Sequence, residues 1–133
     1  RGIHSLYVAG PMSGYAQFNF PAFDFVSEAL RMFFKVTSPA ELDDPDDRER
    51  AYQSPDGDHA RLPDKTWGDF LARDVKIVAD QVDAVCVIPG WSKSKGARLE
   101  TFIAWLCGKP VVKYPQLTDV PTWRLAIAWL FSK

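Results

Sequence analysis

Residues 84–112 read AVCVIPGWSKSKGARLETFIAWLCGKPVV, and this stretch decides the fold. Ala84–Ile88 is an unbroken apolar run, which is typical of a strand covered on both faces of a parallel sheet. A polar loop with two glycines follows. Helical spacing then runs from about Ala97 to Cys107, where a glycine and a proline end it. Val111–Tyr114 is predicted to be the next strand, so the stretch predicts a β-α-β unit with parallel strands.

The rest of the chain repeats this alternation of apolar strands and amphipathic helices. Thr66 and Asp69 resemble a capping box at the start of one helix. The order βαβαβαβα predicts an α/β fold, a small doubly wound, flavodoxin- or Rossmann-like parallel sheet of four to five strands flanked by helices. We expect a single domain over residues 1–133. The other predicted strands are Leu6–Ala9 and Phe34–Thr37, and the other predicted helices are Ala22–Phe33, Trp67–Ala79 and Thr122–Phe131.

Residues 41–64 differ from the rest of the chain in composition. They are rich in aspartate, proline and glycine and nearly free of aliphatic side chains. We therefore predict a charged loop inserted in the domain. Loops of this length in a compact domain are lids, binding loops or solvated excursions, and the sequence leaves these alternatives open.

The overall composition is that of an ordinary globular domain. Apolar residues make up 47% of the 133 residues, charged residues 25%, and the net charge is −1. This balance gives no general attraction to nucleic acid polymers or to anionic membranes, so any phosphate recognition must be local. Cys86 and Cys107 lie in apolar segments and fit neither a disulfide framework nor a metal site. The chain has no membrane-length apolar run and no signal-peptide pattern, so we expect a cytoplasmic protein.

Glu100 is the candidate reactive group, because ligands of open α/β sheets bind at the carboxyl ends of strands. It lies in the first turns of the predicted helix. The helix dipole and the nearby Lys95 and Arg98 are expected to favour its ionised form. An ionised carboxylate at the mouth of a crevice can attack an anomeric carbon. The alternative from residue type alone is a solvent-facing glutamate.

Two glycine-containing loops accompany this carboxylate at the same edge of the predicted sheet. Hydroxyls, amides and lysines leading into a helix are typical of an anion site, although a plain surface turn is the alternative. No His/Cys cluster and no Ser-His-Asp pattern is present, so we predict no metal and no cofactor. The candidate binding residues are Gly10, Pro11, Met12 and Ser13 in the first loop, and Ser92, Ser94, Gly96 and Ala97 in the second.

The motifs YVAGPMSG at residues 7–14 and GWSKSKGARLE at residues 90–100 together resemble the nucleoside 2-deoxyribosyltransferase superfamily. The similarity is greatest to its small phage-type members and to its nucleoside 5′-monophosphate N-glycosidases, and it covers roughly Leu6–Tyr114. The resemblance implies a Rossmann-like domain that acts on a small nucleotide without a cofactor and assembles as a dimer or larger homo-oligomer.

The resemblance also implies roles for single positions. Glu100 matches the nucleophile, and Tyr7 matches the tyrosine that touches this carboxylate or the sugar. Asp74 matches the helix acid that binds the sugar and assists protonation of the departing base. From residue type alone, Tyr7 would be a core aromatic and Asp74 a surface acid. Ser94 stands where monophosphate hydrolases carry serine and free-nucleoside transferases carry aspartate, which favours a 5′-monophosphate substrate.

The sequence thus predicts an N-glycosidase of nucleotide metabolism. This hydrolase would split a (deoxy)nucleoside 5′-monophosphate into free base and (2-deoxy)ribose 5-phosphate. A 2-deoxyribosyltransferase using the same site is one alternative. A non-catalytic nucleotide-binding or sensing module is another, because Pro11 and Ser13 stand where monophosphate hydrolases usually present serine and arginine. Abundant aromatic residues, including Trp105, favour a homodimer or higher homo-oligomer.

Overall fold

A four-stranded, all-parallel sheet forms the centre of the computed structural model, which describes residues 2–58 and 66–114. The spatial order of its strands is β2-β1-β3-β4, and helices flank it. The strands are β1 (Ser5–Ala9), β2 (Lys35–Thr37), β3 (Ala84–Val87) and β4 (Val111–Lys113). The helices are α1 (Phe20–Leu30), α2 (Pro45–Gln53), α3 (Trp67–Asp80) and α4 (Lys95–Leu106). This architecture confirms the predicted small doubly wound α/β fold.

The two central strands are buried on both faces, because successive side chains of a strand point to opposite sides of the sheet. Leu6 and Val8 of β1 belong to the same core cluster as Phe23 of α1. Tyr7 and Ala9 belong to the core cluster on the other face of the sheet, with Val78 of α3. Burial on both sides explains why these strands read as unbroken apolar runs.

The carboxyl ends of β1 and β3 lie side by side. Ala9 pairs with Val87, and the Ile88 N–H donates a hydrogen bond of 3.0 Å to the Ala9 carbonyl. From β1 the chain crosses to β2 on one side, and from β3 it crosses to β4 on the other. A crevice opens in open α/β sheets where the connections diverge in this way. The two loops singled out in the sequence therefore leave the sheet next to each other.

The prediction of a loop over residues 41–64 is wrong in part, because helix α2 occupies residues 45–53. Asp44 caps this helix by accepting a 2.9 Å hydrogen bond from the Asp47 N–H, and Pro45 takes the first helical position. Acidic residues in the first turn and Arg50 in the last turn complement the helix dipole. Local capping and charge thus specify a helix that has almost no apolar stripe.

Polar contacts attach α2 to α1. Asp24 of α1 accepts hydrogen bonds from both Arg48 and the hydroxyl of Tyr52. The Arg48 guanidinium also lies 5.4 Å from the centre of the Phe20 ring. A search for hydrophobic periodicity cannot detect such a helix, since its attachment is electrostatic and aromatic.

Helix boundaries shift relative to the prediction where side chains cap the ends. Ser94 accepts a hydrogen bond of 3.2 Å from the Ala97 N–H, so α4 begins at Lys95 rather than at Ala97. The predicted capping box is confirmed at α3, where Thr66 and Asp69 exchange reciprocal hydrogen bonds of 2.9 and 3.1 Å.

The loop after β1 contains an unusual left-handed turn. Gln17, Phe18 and Asn19 have φ values of 56°, 51° and 61°, a region that non-glycine residues seldom occupy. Tertiary contacts hold the turn. The Gln17 amide group donates to the Tyr52 carbonyl at 3.1 Å, and Asn19 Nδ2 donates to the Pro11 carbonyl at 3.0 Å. Phe18 meanwhile is buried in the core.

One predicted helix, Thr122–Phe131, lies outside the described residues.

Trp105 of α4 is 70% exposed and stacks on Phe102, with ring centres 5.9 Å apart. The homo-oligomer stays a prediction. Within residues 2–58 and 66–114, no helix is both long and apolar enough to cross a membrane.

Candidate active site

A cavity of about 310 Å³ opens at the carboxyl edge of the sheet, where the two loops leave β1 and β3. Its walls come from the β1 loop, the segment before α2, the first turns of α3, and the start of α4. Helices in this fold run antiparallel to the strands, so their N-terminal turns reach the ligand edge. The volume falls in the range that holds a small-molecule ligand.

Glu100 lies in the cavity wall rather than in solvent, and only 5% of its surface is exposed. The hydroxyl of Tyr7 donates a hydrogen bond of 2.9 Å to Glu100 Oε2. Tyr7 is fully buried on β1, and burial followed by the negative charge of Glu100 raises the pKa of its hydroxyl, which keeps it a donor. The structure thus brings together two of the three predicted catalytic residues.

Asp74 completes this group from α3. It is buried and lines the same cavity, and its negative charge adds to the effect of burial on Glu100. Burial raises the pKa of Asp74, and the neighbouring Arg73 opposes that rise. Two neighbouring buried carboxyl groups repel each other when both are ionised, so the pair favours keeping a proton.

The expectation that its surroundings favour ionised Glu100 is wrong. Burial, and secondly the charge of Asp74, raises the pKa of Glu100 well above its ordinary value. Lys95 and Arg98 were expected to have the opposite effect, but desolvation of a nearly buried carboxylate outweighs charges on the helix surface. The candidate reactive group is therefore a pair of interacting carboxyl groups rather than a lone carboxylate.

Arg73 and Asp43 are site residues that the sequence reading missed. Arg73 Nε donates to Asp74 Oδ1 at 2.9 Å, and its Nη1 donates to Asp43 Oδ1 at 2.8 Å. Asp43 comes from the charged segment before α2, thirty positions away in sequence. No local pattern joins these residues, because Asp43 lies in the segment before α2 and Arg73 lies in α3.

The β1 loop forms part of the cavity wall. Gly10, Pro11, Met12 and Ser13 all line it. A Cβ atom on Gly10 would lie 2.3 Å from Ile88 Cγ1, so only glycine lets the loop pass this close to the end of β3.

The start of α4 forms a basic, hydroxyl-bearing side of the cavity. Ser94, Gly96 and Ala97 line it together with Lys93 and Lys95. Ser92 is not among the lining residues, so this predicted binding residue is placed away from the others. Ser94 uses its oxygen to cap α4 and still has a hydroxyl proton to donate to a ligand.

Aromatic side chains form the remaining wall. Trp67 and Phe70 project from the first turn of α3, while Tyr15 and Phe18 come from the β1 loop. Trp67 and Tyr15 are 45% and 42% exposed, so broad faces remain free for stacking. The sequence reading missed Trp67 and Phe70, although their place in the first turn of a helix preceding a strand was the available signal.

The described residues offer no preformed metal centre. No group of three or more His, Cys, Asp and Glu side chains in residues 2–58 and 66–114 is placed to hold a metal ion.

A comparison with protein families identifies the family to which the chain belongs. The family model described as a domain of unknown function (DUF4406) matches residues 4–113. The chain belongs to the DUF4406 family. Neither a curated protein nor a solved structure matches the chain significantly.

The DUF4406 match extends over the whole described sheet and the entire cavity. It begins before β1, ends with β4, and includes the segment containing α2 that supplies Asp43. The charged segment thus belongs to the DUF4406 domain and contributes a side chain to its cavity.

Proposed function

We propose that this DUF4406 protein hydrolyses the N-glycosidic bond of a (deoxy)nucleoside 5′-monophosphate, as a relative of the nucleoside 2-deoxyribosyltransferase superfamily. The observation that carries the proposal is the buried carboxyl pair of Glu100 and Asp74, with Tyr7 bonded to Glu100, at a cavity bounded by the start of α4. Two carboxyl groups that share one proton supply both the nucleophile and the acid that this cleavage needs.

The chemistry follows from where that proton goes. A proton on Asp74 leaves Glu100 ionised, with Tyr7 holding Oε2 in place. A Glu100 oxygen attacks C1′ as the bond from C1′ to the base nitrogen breaks, and its electron pair leaves with the base, which takes the proton from Asp74. Water then attacks C1′ and gives a proton to Asp74, and Glu100 departs as carboxylate. The products are free base and (2-deoxy)ribose 5-phosphate.

The start of α4 supports a phosphate group on the sugar. The first amides of a helix have no intrahelical acceptor, and Lys95 and Gly96 occupy those positions beside the cavity. The hydroxyl proton of Ser94 and the ammonium groups of Lys93 and Lys95 add donors and positive charge. An aspartate at position 94 would cap the helix equally well but would repel a phosphate dianion.

The aromatic wall supports a nucleobase at the other end of the ligand. The exposed faces of Trp67 and Tyr15 can stack on a planar base, and such stacking contributes about 1–3 kcal/mol for each base. Stacking alone accepts any base, so this wall supports the class of ligand rather than a particular base.

The test is incubation of the purified chain with a panel of ribo- and deoxyribonucleoside 5′-monophosphates, with free base measured by chromatography. We expect release with at least one monophosphate, little with the matching nucleoside, and a large loss in Glu100→Gln and Asp74→Asn. Glu49→Gln, which alters an exposed glutamate of α2, is the matched control.

Three results would count against the proposal. Undiminished release by Glu100→Gln would remove Glu100 from the chemistry. Base exchange in place of hydrolysis when a second base is added would identify a transferase. Thermal stabilisation by a nucleotide without turnover over hours would identify a binding or sensing module.

A further inference from the structure

An ion network crosses the cavity wall from the charged segment to the carboxyl pair. Arg73 donates from Nη1 to Asp43, from Nε to Asp74, and from Nη2 to the Pro39 carbonyl, at 2.8, 2.9 and 3.4 Å. Its guanidinium carbon also lies 5.4 Å from the centre of the Phe70 ring. Four contacts therefore fix the orientation of the Arg73 guanidinium.

The contact between Arg73 and Asp74 is not one that a helix favours. The two residues are adjacent in α3, and side chains at successive helix positions do not normally face each other. Arg73 turns towards Asp74 while Asp43 holds the other side of its guanidinium. The Asp43 side chain is only 5% exposed, so this hold is largely shielded from water.

We propose that Asp43 and Arg73 are positioning residues, in which Asp43 holds the Arg73 guanidinium against Asp74 so that the carboxyl pair gives up one of its two protons and keeps the other in the working enzyme. The inference rests on the proposed function for its kinetic consequence. It assigns a role to the segment before α2, which no sequence motif marked.

Charged and titratable groups from several elements face the pair or line its cavity. Among the described residues these are Tyr7 on β1, Tyr15 in the β1 loop, Asp43 before α2, Arg73 on α3, and Lys93 and Lys95 at the start of α4. Arg73 is the cation bonded directly to the pair, and it lowers the pKa of both carboxyl groups. The negative charge of Asp43 acts directly in the other direction and raises the pKa of Asp74.

These opposite signs make the role of Asp43 testable. If Asp43 acts only through its own charge, Asp43→Asn lowers the pKa of Asp74. If Asp43 acts by holding Arg73, the same variant raises it, because the guanidinium is released. The second outcome places Asp43→Asn in the same direction as Arg73→Gln, although the two changes remove opposite charges.

The kinetic experiment is the pH profile of kcat/KM for wild type, Arg73→Gln, Arg73→Lys and Asp43→Asn. We expect the acid limb to move to higher pH in Arg73→Gln and Asp43→Asn, with kcat/KM below the limb reduced by about tenfold, as for loss of one close opposite charge. Arg73→Lys keeps the charge and should recover part of the shift. Lys76→Gln, which breaks an exposed pair with Asp80 on the same helix, should leave the profile unchanged.

A substrate-free measurement separates this inference from the proposed function. Carboxyl carbons labelled with ¹³C report the titration of Glu100 and Asp74 directly by NMR, with Glu100→Gln and Asp74→Asn giving the assignments. An upward shift of the carboxyl pKa values in Arg73→Gln and Asp43→Asn supports the positioning role. It does so even if wild type releases no base, because the absence of release contradicts only the proposed function. An unchanged titration in Arg73→Gln, or a downward shift in the near-isosteric Asp43→Asn, overturns the positioning role.

Discussion

Replacing Glu100 by glutamine should make the domain more stable near neutral pH. The pKa of Glu100 is raised in the folded chain by burial and by Asp74, whereas in the unfolded chain the carboxyl group is solvated. Between the two pKa values the folded state holds more protons, so the free energy of unfolding falls as pH rises through that window. Glutamine cannot ionise, and its amide oxygen can still accept the hydrogen bond from Tyr7.

The size of the effect follows from proton linkage. Each proton held only by the folded state lowers the free energy of unfolding by about 1.4 kcal/mol per pH unit. Between the unfolded and the folded pKa of Glu100, wild type should therefore lose up to about 1.4 kcal/mol for each pH unit relative to Glu100→Gln. Asp74→Asn should show an intermediate slope, because it removes the charge that adds to the burial effect on Glu100.

Urea denaturation monitored by tryptophan fluorescence at several pH values measures these slopes. Glu49→Gln provides the baseline, since this exposed glutamate should leave the pH dependence unchanged. Parallel pH curves for wild type and Glu100→Gln would refute the idea that the carboxyl pair retains a proton in the folded state. The measurement needs no substrate, so it tests the geometry of the site without assuming an activity.

Three further changes test local features. Gly10→Ala should destabilise by about 1–3 kcal/mol in urea melts because its Cβ would overlap Ile88, and the cost should shrink in an Ile88→Ala background; equal costs in both would disprove the clash. Asp44→Ala should remove the α2 cap at a cost of about 0.5–2 kcal/mol, and an unchanged denaturation midpoint would contradict that role. Asp83 accepts hydrogen bonds from the N–H groups of His4 and Ser5 at 2.8 and 3.1 Å, and these bonds, chiefly the one from His4, lower its pKa. The stabilisation is therefore present above the unfolded pKa and is lost as pH falls through the folded pKa. Asp83→Asn should lower the denaturation midpoint more at neutral pH than at about pH 3, and equal losses at the two pH values would argue against an ionic role.

The sheet was predictable because its signals are local. The apolar runs at β1 and β3, the glycine and proline after α4, and the Thr66 capping box each depend on a few neighbouring residues. The same holds for the edge at which the cavity opens, since the carboxyl ends of parallel strands necessarily coincide. Glu100 and the β1 loop could therefore be assigned to one edge of the sheet from the sequence, whereas Asp74 was assigned to the site only through the resemblance to the superfamily.

What the sequence did not predict depends on contacts between distant segments. Helix α2 has no apolar stripe, so its attachment through Arg48 and Asp24 is invisible to hydrophobic periodicity. The Arg73–Asp43 contact joins residues on different elements. The protonation of Glu100 depends on how deeply its carboxyl group is buried, which charged neighbours in the sequence do not indicate.

The left-handed turn at Gln17, Phe18 and Asn19 bears on how the cavity mouth comes to have its shape. Left-handed backbone costs about 1–2 kcal/mol for each non-glycine residue, so these residues do not favour the turn by themselves. One of its partners, the Pro11 carbonyl, lies in the same loop, but the other, the Tyr52 carbonyl, belongs to α2, which must already be in place. A peptide of residues 10–20 should therefore not adopt the turn. The mouth of the cavity should therefore take its shape late in folding, after the surrounding elements have packed.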